Sequence, residues 1–416
     1  MDNSVITLGT LLYTLGISVV LAIAYVLKSV DTEKSYGQVI VKPIFGPKTA
    51  NTFENTKLPE ASYDLRQSPS WWSDEKIFEL EKRAIFSKTW LFVTHASRFQ
   101  KPGDYRTFEI AGFSFVVILG KDKQIRTFHN VCRHRAYAVT KKESGSSTVL
   151  GCRYHGWSYD TRGKLVKAPE FDKVPGFDKE MNSLWEIKTS VFQSMVFVNF
   201  DAATHVDSFN GGTGSRLKRW GLSKMKCLED WKVEEEFNWK LLATMAKKEK
   251  KKQQCWSSIL PFLAGISQDD LELGYTTIVR RIVPGVILIL KAVPKSAKIT
   301  MVECSIYVKE HHATLDMSSL KSEVQWEMKQ LANKQQRILC NQEPIMALAS
   351  SVANQGEINR LLGVHLEAEK KAGGEIHPAA REQSFSRDGK ADDDFCRELE
   401  NPGSTCSANA KGLLDW

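Results

Sequence analysis

The stretch NVCRHRAYAVTKKESGSSTVLGCRYHGWSYD, residues 130 to 160, holds two pairs of metal-ligating side chains, Cys132-x-His134 and Cys152-x-x-His155, with seventeen residues between them. A chain that uses both pairs has to bring two separate loops to one point, and no other feature restricts the fold as much. Each pair is one cysteine and one histidine. Structural zinc sites usually take Cys-Cys or His-His pairs, so zinc is the weaker reading. Mixed pairs suit a cluster of two irons in which each loop gives one ligand to each metal. Histidine in place of cysteine makes such a cluster less negative and raises its potential. Gly151 and Gly156 let backbone N–H groups approach the sulfurs. Trp157 and Tyr159 can shield one side and donate from a polar edge.

The run CRHR…GCRYHGWSYDTRGKL resembles the Rieske [2Fe–2S] module of ring-hydroxylating and choline-monooxygenase-like oxygenases. Respiratory Rieske proteins carry an extra cysteine in each loop, and this chain has none there, so the resemblance is to the oxygenase branch. It extends over residues 70–245 and more faintly over 275–345. It implies that Cys132 and Cys152 hold one iron and that His134 and His155 hold the other. It also implies a mononuclear Fe(II) in a C-terminal helix-grip domain, held by two histidines and one carboxylate.

VEEEFNWKLLA at 233–243 is similar to the family's entry into that second domain, but the next segment reads ATMAKKEKKKQQCWSSILPFLAG. No histidine lies between His205 and His311. His311 and His312 are adjacent, so on a strand they project to opposite sides. His365 and His377 lie in or near the charged tail, and His95 and His129 read as core or interdomain residues. Where the family places its carboxylate, KQQRILCN has Gln336, and no Asp or Glu occurs between Glu327 and Glu343. The mononuclear iron ligands and any catalytic residues are therefore unassigned. A lost exon or retained intron near Lys247–Leu263, a naturally degenerate oxygenase, or a different ligand set would each account for this.

The N-terminus carries a second expectation. Asn3 to Leu27 contain no charge, and about 20 apolar residues suffice to cross a bilayer. Lys28, Lys34, Lys42 and Lys48 follow, which places the body of a single-pass membrane protein in the cytosol. A cleavable signal peptide is the rival, with Ala22-Ile-Ala24 as its site. The eight cysteines are dispersed, which suits a reducing compartment. A net charge of +8 with no basic, aromatic-interleaved stripe gives no argument for nucleic acid.

The expected fold class is α+β, for 416 residues suggest two domains with appendages. The divisions are a transmembrane anchor at 1–30, a Pro-punctuated linker at 31–72, an antiparallel β Rieske domain at 73–205, a helix-grip-like domain at 216–377, diverged or truncated, and a polar tail at 378–416. A helix capped by Ser73 is expected first. Strands follow at 105–110, 114–119, 125–131 and 195–200, with turns at Ala111-Gly112 and Gly120–Asp122. The second domain has strands at 275–283, 286–293 and 299–308, then a helix over 320–339 with Leu320, Val324, Met328 and Leu331 on one stripe.

By resemblance, the implied function is O2-dependent hydroxylation, demethylation or desaturation of a lipophilic or secondary-metabolite-like substrate. Electrons would come from a separate NAD(P)H-dependent reductase or ferredoxin, in a possible homotrimer. The alternative is an electron-transfer protein without the mononuclear iron.

Overall fold

A computed structural model describes residues 69–171, 174–202, 214–247, 270–309, 315–340 and 355–377. The chain enters through Trp71 and Trp72, both buried, into helix α1 (Glu75–Glu81). Asp74 caps this helix, its side chain accepting from the Lys76 N–H at 2.8 Å, one residue beyond the expected Ser73. A wider turn, Lys82–Phe86, continues it and buries Ala84, Ile85 and Phe86.

Ten strands follow: β1 (Leu91–His95), β2 (Asp104–Ile110), β3 (Phe113–Leu119), β4 (Ile125–His129), β5 (Ser144–Ser146), β6 (Val149–Gly151), β7 (Ser158–Asp160), β8 (Leu165–Lys167), β9 (Glu186–Phe192) and β10 (Met195–Asn199). Seven form one antiparallel sheet in the order β1-β10-β9-β4-β3-β2-β5, and β6-β7-β8 form a small second sheet. The β2–β3 turn is Ala111-Gly112 as expected, with φ 51° and 85°. Positive φ at both positions gives the twist that two-residue hairpins need.

Helix α2 (Gly214–Trp220) leads to β11 (Lys226–Glu235), a 3-10 helix (Trp239–Lys247), and strands β12 (Asp270–Leu273), β13 (Thr277–Val283), β14 (Val286–Pro294) and β15 (Thr300–Val308). The sheet order is β11-β15-β14-β13-β12. Helix α3 (Met317–Leu339) and helix α4 (Gln355–Ala372) complete the described chain.

Strand β14 is buried along its whole length, which explains its unbroken apolar run. Leu288 and Leu290 share a core with Leu320, Val324, Met328 and Leu331 of α3. Ile287 and Ile289, on the opposite face, pack with Phe92, Phe197 and Trp220. Burying each such side chain contributes roughly 1.5–3 kcal/mol relative to leaving it exposed.

The transmembrane part of the expectation is corrected. Among the described residues no helix is long and apolar enough to cross a membrane. The longest, α3 with 23 residues, has one buried stripe that includes Glu323 and Glu327, and it carries Lys and Arg on its other faces. Residues 1–30, where the anchor was expected, lie outside the described residues, as do most of the linker and the tail from 378. The architecture found is α+β without a transmembrane helix among the described residues, which overturns the expected single-pass topology for them.

Candidate metal centre

Two loops of one design carry the four candidate ligands. In the first, after β4, the Cys132 N–H donates to the Tyr137 carbonyl (2.7 Å) and the Ala136 N–H donates to the Cys132 carbonyl (3.0 Å). In the second, between β6 and β7, the Cys152 N–H donates to Trp157 (2.8 Å) and the Gly156 N–H donates to Cys152 (3.0 Å). The fourth residue after each cysteine is left-handed: Ala136 at φ 56° and Gly156 at φ 73°. Each loop therefore holds its cysteine at the base and its histidine nearer the tip.

The structure brings like with like. Cys132 and Cys152, both buried and not joined in a disulfide, lie in one apolar cluster close enough for each thiol to shift the other's ionisation. The His134 and His155 rings lie with centroids 4.5 Å apart. Leu150, Trp157, Tyr159, Leu165 and Phe171 form the apolar floor around the sulfurs. The His134 N–H points at the Cys132 sulfur, and the Tyr154 and His155 N–H groups point at the Cys152 sulfur. The Tyr159 hydroxyl accepts from the Arg133 N–H (3.0 Å) and lies 3.2 Å from Cys132 Sγ, so its own proton is available to that sulfur.

This arrangement sets the charge states. Contact between the thiols makes them lose protons in turn. The hydrogen bond from Cys132, followed by those backbone N–H groups, pulls Cys152 down to about 6. The same contact, then burial, pushes Cys132 up. Burial, then the His155 and Arg135 charges, lowers His134 to about 4; burial and Arg135 lower His155. Both imidazoles are therefore neutral at neutral pH, with a lone pair for a metal. Trp157 stacks on His134 at 5.0 Å and 13°, and Phe171 meets its edge at 5.1 Å.

The donor set fits a two-metal cluster better than one ion. It consists of a thiol pair and an imidazole pair, and among the described residues no group of three or more His, Cys, Asp or Glu can hold a single metal ion. The buried indole N–H of Trp157 also has no acceptor among the described residues, a donor left over beside the imidazoles.

The other expected residues disperse. His95 is buried, its Nδ1 2.8 Å from Ser97 Oγ and its Nε2 3.2 Å from the Leu222 carbonyl, a structural bridge. His129 packs near Phe200. His365 sits not in a polar tail but buried on α4, 3.1 Å from Glu369, which also takes a 2.7 Å bond from Arg83. His377 is exposed, and His205, His311, His312, Glu343 and residues 248–269 lie outside the described residues. Gln336, in the place of the family carboxylate, is on the exposed face of α3. Its buried neighbour Gln335 accepts from the Asn238 N–H. Glu327 is committed to Arg280 (3.0 Å), which also pairs with Asp270. The described residues do not fit a mononuclear iron.

Sequence reasoning missed a buried ion pair between Glu81 and Lys240, both wholly enclosed. Trp239 donates its indole N–H to Glu81 at 2.7 Å, and the Lys240 ammonium lies 4.6 Å from the Trp71 ring. It also missed the stack of Tyr137 on Tyr154 (4.7 Å), which in turn lies on His155 (3.9 Å). The position of Tyr154 directly before a ligand-type histidine was the available signal.

Residues 89–178 match the model of the Rieske [2Fe–2S] domain. The chain is 35% identical over 195 residues to the carnitine monooxygenase oxygenase subunit of Acinetobacter baumannii, covering 45% of this chain and 52% of that one. It is 36% identical over 172 residues to the 2-aminobenzenesulfonate 2,3-dioxygenase alpha subunit of an Alcaligenes species, covering 40% and 44%. The chain thus spans about half the length of the curated relatives it matches. The crystal structure of the quaternary ammonium Rieske monooxygenase CntA with an inhibitor superposes with a TM-score of 0.54 at 25% identity, over 65% of this chain and 84% of that one. CntA with L-carnitine gives 0.56 at 24%, over 72% and 94%, which is a likeness of fold. The chain carries a Rieske [2Fe–2S] domain, the module of a [2Fe–2S] cofactor, within a fold shared with Rieske monooxygenases.

Proposed function

We propose that this protein is a Rieske-type oxygenase component, with Cys132 and Cys152 holding one iron of the cluster and His134 and His155 the other. The observation that carries the reading is the pair of twin loops that presents two thiols to one side and two neutral imidazoles to the other. The bound cluster supplies one-electron transfer. The chain's own residues tune and protect it. The Tyr159 hydroxyl and the backbone N–H groups of His134, Tyr154 and His155 hold negative charge at sulfur, while Trp157 and Phe171 keep water from one face of His134. The domains we assign are 73–205 for the cluster and 216–377 for the oxygenase-type fold.

The reaction class is oxidation of a small organic substrate with O2, with electrons from NAD(P)H through a separate reductase or ferredoxin. The matched relatives are a carnitine monooxygenase subunit and a 2-aminobenzenesulfonate dioxygenase subunit, which supports a small organic substrate without choosing one.

A second reading is an electron-transfer protein that serves an iron on another chain. It is favoured by the commitments of Glu327 and Gln335, by the outward Gln336, and by the lack of histidine between His205 and His311 in the sequence. Iron analysis separates the two, with three irons per chain for the first and two for the second. NADH-driven O2 uptake coupled to product, with a reductase supplied, would sink the second reading; two irons and no product with any small organic substrate tried would sink the first. Both readings require that His134→Ala abolish the cluster's visible absorbance, and a retained spectrum would overturn the ligand assignment.

A further inference from the structure

We propose that strand β11, the open edge of the second sheet, is a two-fold interface at which a second copy of this chain binds, edge to edge and antiparallel, with Trp231 at the axis. The proposal is independent of the ligand assignment above.

Strand β11 ends the five-stranded sheet. Its residues 229–235 pair with β15, and among the described residues no strand lies on its other side. A strand of 10 residues with one unpaired edge offers a row of N–H and C=O groups to another strand. Natural sheets blunt such edges with proline or with charge. β11 has no proline, and its charges, in KCLEDWKVEE, are of both signs. Glu229, Trp231 and Val233 face α3. Glu229 pairs with Lys321, the Lys321 ammonium lies 5.8 Å from the Trp231 ring, and Val233 shares the core of Leu320 and Val324. Asp230 and Lys232 alternate with them onto the opposite face. Both are exposed, and Asp230 lies 3.3 Å from Arg98.

Two-fold symmetry then selects the register. Residues directly opposite in an antiparallel pair point to the same face, so at an isologous axis one residue meets its own copy. With Trp231 there, each Asp230 meets Lys232 of the other copy, and the two indoles form a cross-strand aromatic pair. An axis at Asp230 sets that carboxylate against itself, and one at Lys232 sets Asp230 against Glu234. Like charges directly opposed are destabilising. Axes further along are cut short by the bulge between Cys227 and Glu229 or by the end of the strand at Glu235.

The surroundings complete the fit. A specific interface buries roughly 1,200–2,000 Å², more than the opposed stretch 229–233 provides, so apolar surface beside the strand has to join it. In this register Leu228 of the second copy, 53% exposed, comes level with Glu234 and Glu235, where a groove opens between β11 and α3. Trp326, 47% exposed, lines that groove with Lys321, Ser322, Gln325 and Lys329. An exposed leucine of each copy is thereby brought to an exposed tryptophan of the other, and tryptophan is among the side chains enriched at interfaces.

The test uses the full, cluster-loaded chain. Sedimentation equilibrium is expected to give an even multiple of the chain mass. Lys232→Asp opposes two aspartates on each side of the axis and is expected to halve that mass, and the charge swap Asp230→Lys/Lys232→Asp to restore it. Circular dichroism and cluster absorbance stay at the wild-type level in both variants. Trp231→Cys, oxidised in air beside a wild-type control, is expected to gain a disulfide-linked dimer. Opposed Cα atoms in an antiparallel pair lie about 4.5–5.5 Å apart, within disulfide reach. Asp230→Cys gains none, since that residue meets Lys232 of the other copy and not itself. A wild-type mass of one or three chains overturns the interface, as does an unchanged mass in Lys232→Asp or a Trp231→Cys chain that crosslinks no more than wild type. An internal disulfide in Trp231→Cys assigns the edge to another segment of the same chain and overturns the second copy. Asp230→Cys crosslinking as readily as Trp231→Cys, or a charge swap that stays at half the mass, overturns the register on which the proposal rests.

Discussion

Ala136 and Gly156 occupy the same left-handed position in two matched loops, each donating its N–H to the carbonyl of the cysteine four residues before it. The position favours glycine, and only the second loop has one. An L-residue held there costs about 1–2 kcal/mol, against about 0.4–1 kcal/mol of unfolded-state entropy that glycine adds. Ala136→Gly is therefore expected to stabilise the protein by about 0.5–1 kcal/mol in urea denaturation, and Gly156→Ala to destabilise it by a similar amount. The Cβ added at Gly156 would meet Pro169 at 3.4 Å, ordinary contact, so backbone strain is the main term.

Tyr159 donates to the more enclosed side of the site. Its hydroxyl oxygen already accepts from Arg133, which leaves its proton for Cys132. A donor to a cluster sulfur favours the reduced, more negative state. Tyr159→Phe should lower the reduction potential by tens of millivolts, at about 59 mV for each 1.4 kcal/mol of differential bonding. Protein-film voltammetry reads this directly, and an unchanged potential would show that the hydroxyl does not donate to sulfur.

The Glu81–Lys240 pair predicts a non-additive cycle. Both groups are wholly buried, and burial drives the Lys240 pKa down while Glu81 opposes it. Removing one partner leaves an uncompensated buried group and costs about 3–5 kcal/mol. Glu81→Leu and Lys240→Met should each destabilise by about that much, and the double variant by less than either. Additive costs in chemical denaturation would mean that the pair is not coupled.

His95 sets a pH dependence. Burial, the largest cause, holds its pKa at about 4, below the ordinary 6.5. Above pH 6.5 the ring is neutral in both folded and unfolded chains and contributes no slope. As pH falls below 6.5 the unfolded chain takes up the proton first, so stability is lost down to about pH 4. The loss amounts to about 3 kcal/mol over that window. His95→Gln should flatten this part of the stability profile, and an unaltered profile would place the acid sensitivity elsewhere.

Much of the first sheet was legible because its strands are long and its turns carry Gly: β2, β3, β4 and β10 fall within a residue or two of their expected ranges. The α3 stripe was equally plain, since helical spacing is local. The strands β6, β7 and β8 have three residues each, too short for any period to register, and β11 is half-exposed and charged along most of its length. Helix α4 was hidden by its charge, although Ile358, Leu362 and His365 face inward. The apolar N-terminal run led to an expected membrane helix, and the described helices supply none.

The sequence alone determined the kinds of donor and their spacing, because ligand chemistry and loop length are covalent facts. Which donors meet was implied only by resemblance to a known family and not by the residues themselves. The pairing of Cys132 with Cys152 and of His134 with His155, the closed sulfur side and the open imidazole side, and the partnership of Glu81 with Lys240 depend on residues far apart in the chain. Such contacts form only when packing brings the loops and helices together and excludes water. Desolvation, which shifts the pKa values and strengthens each buried charge interaction, belongs to the tertiary structure and to no stretch of sequence.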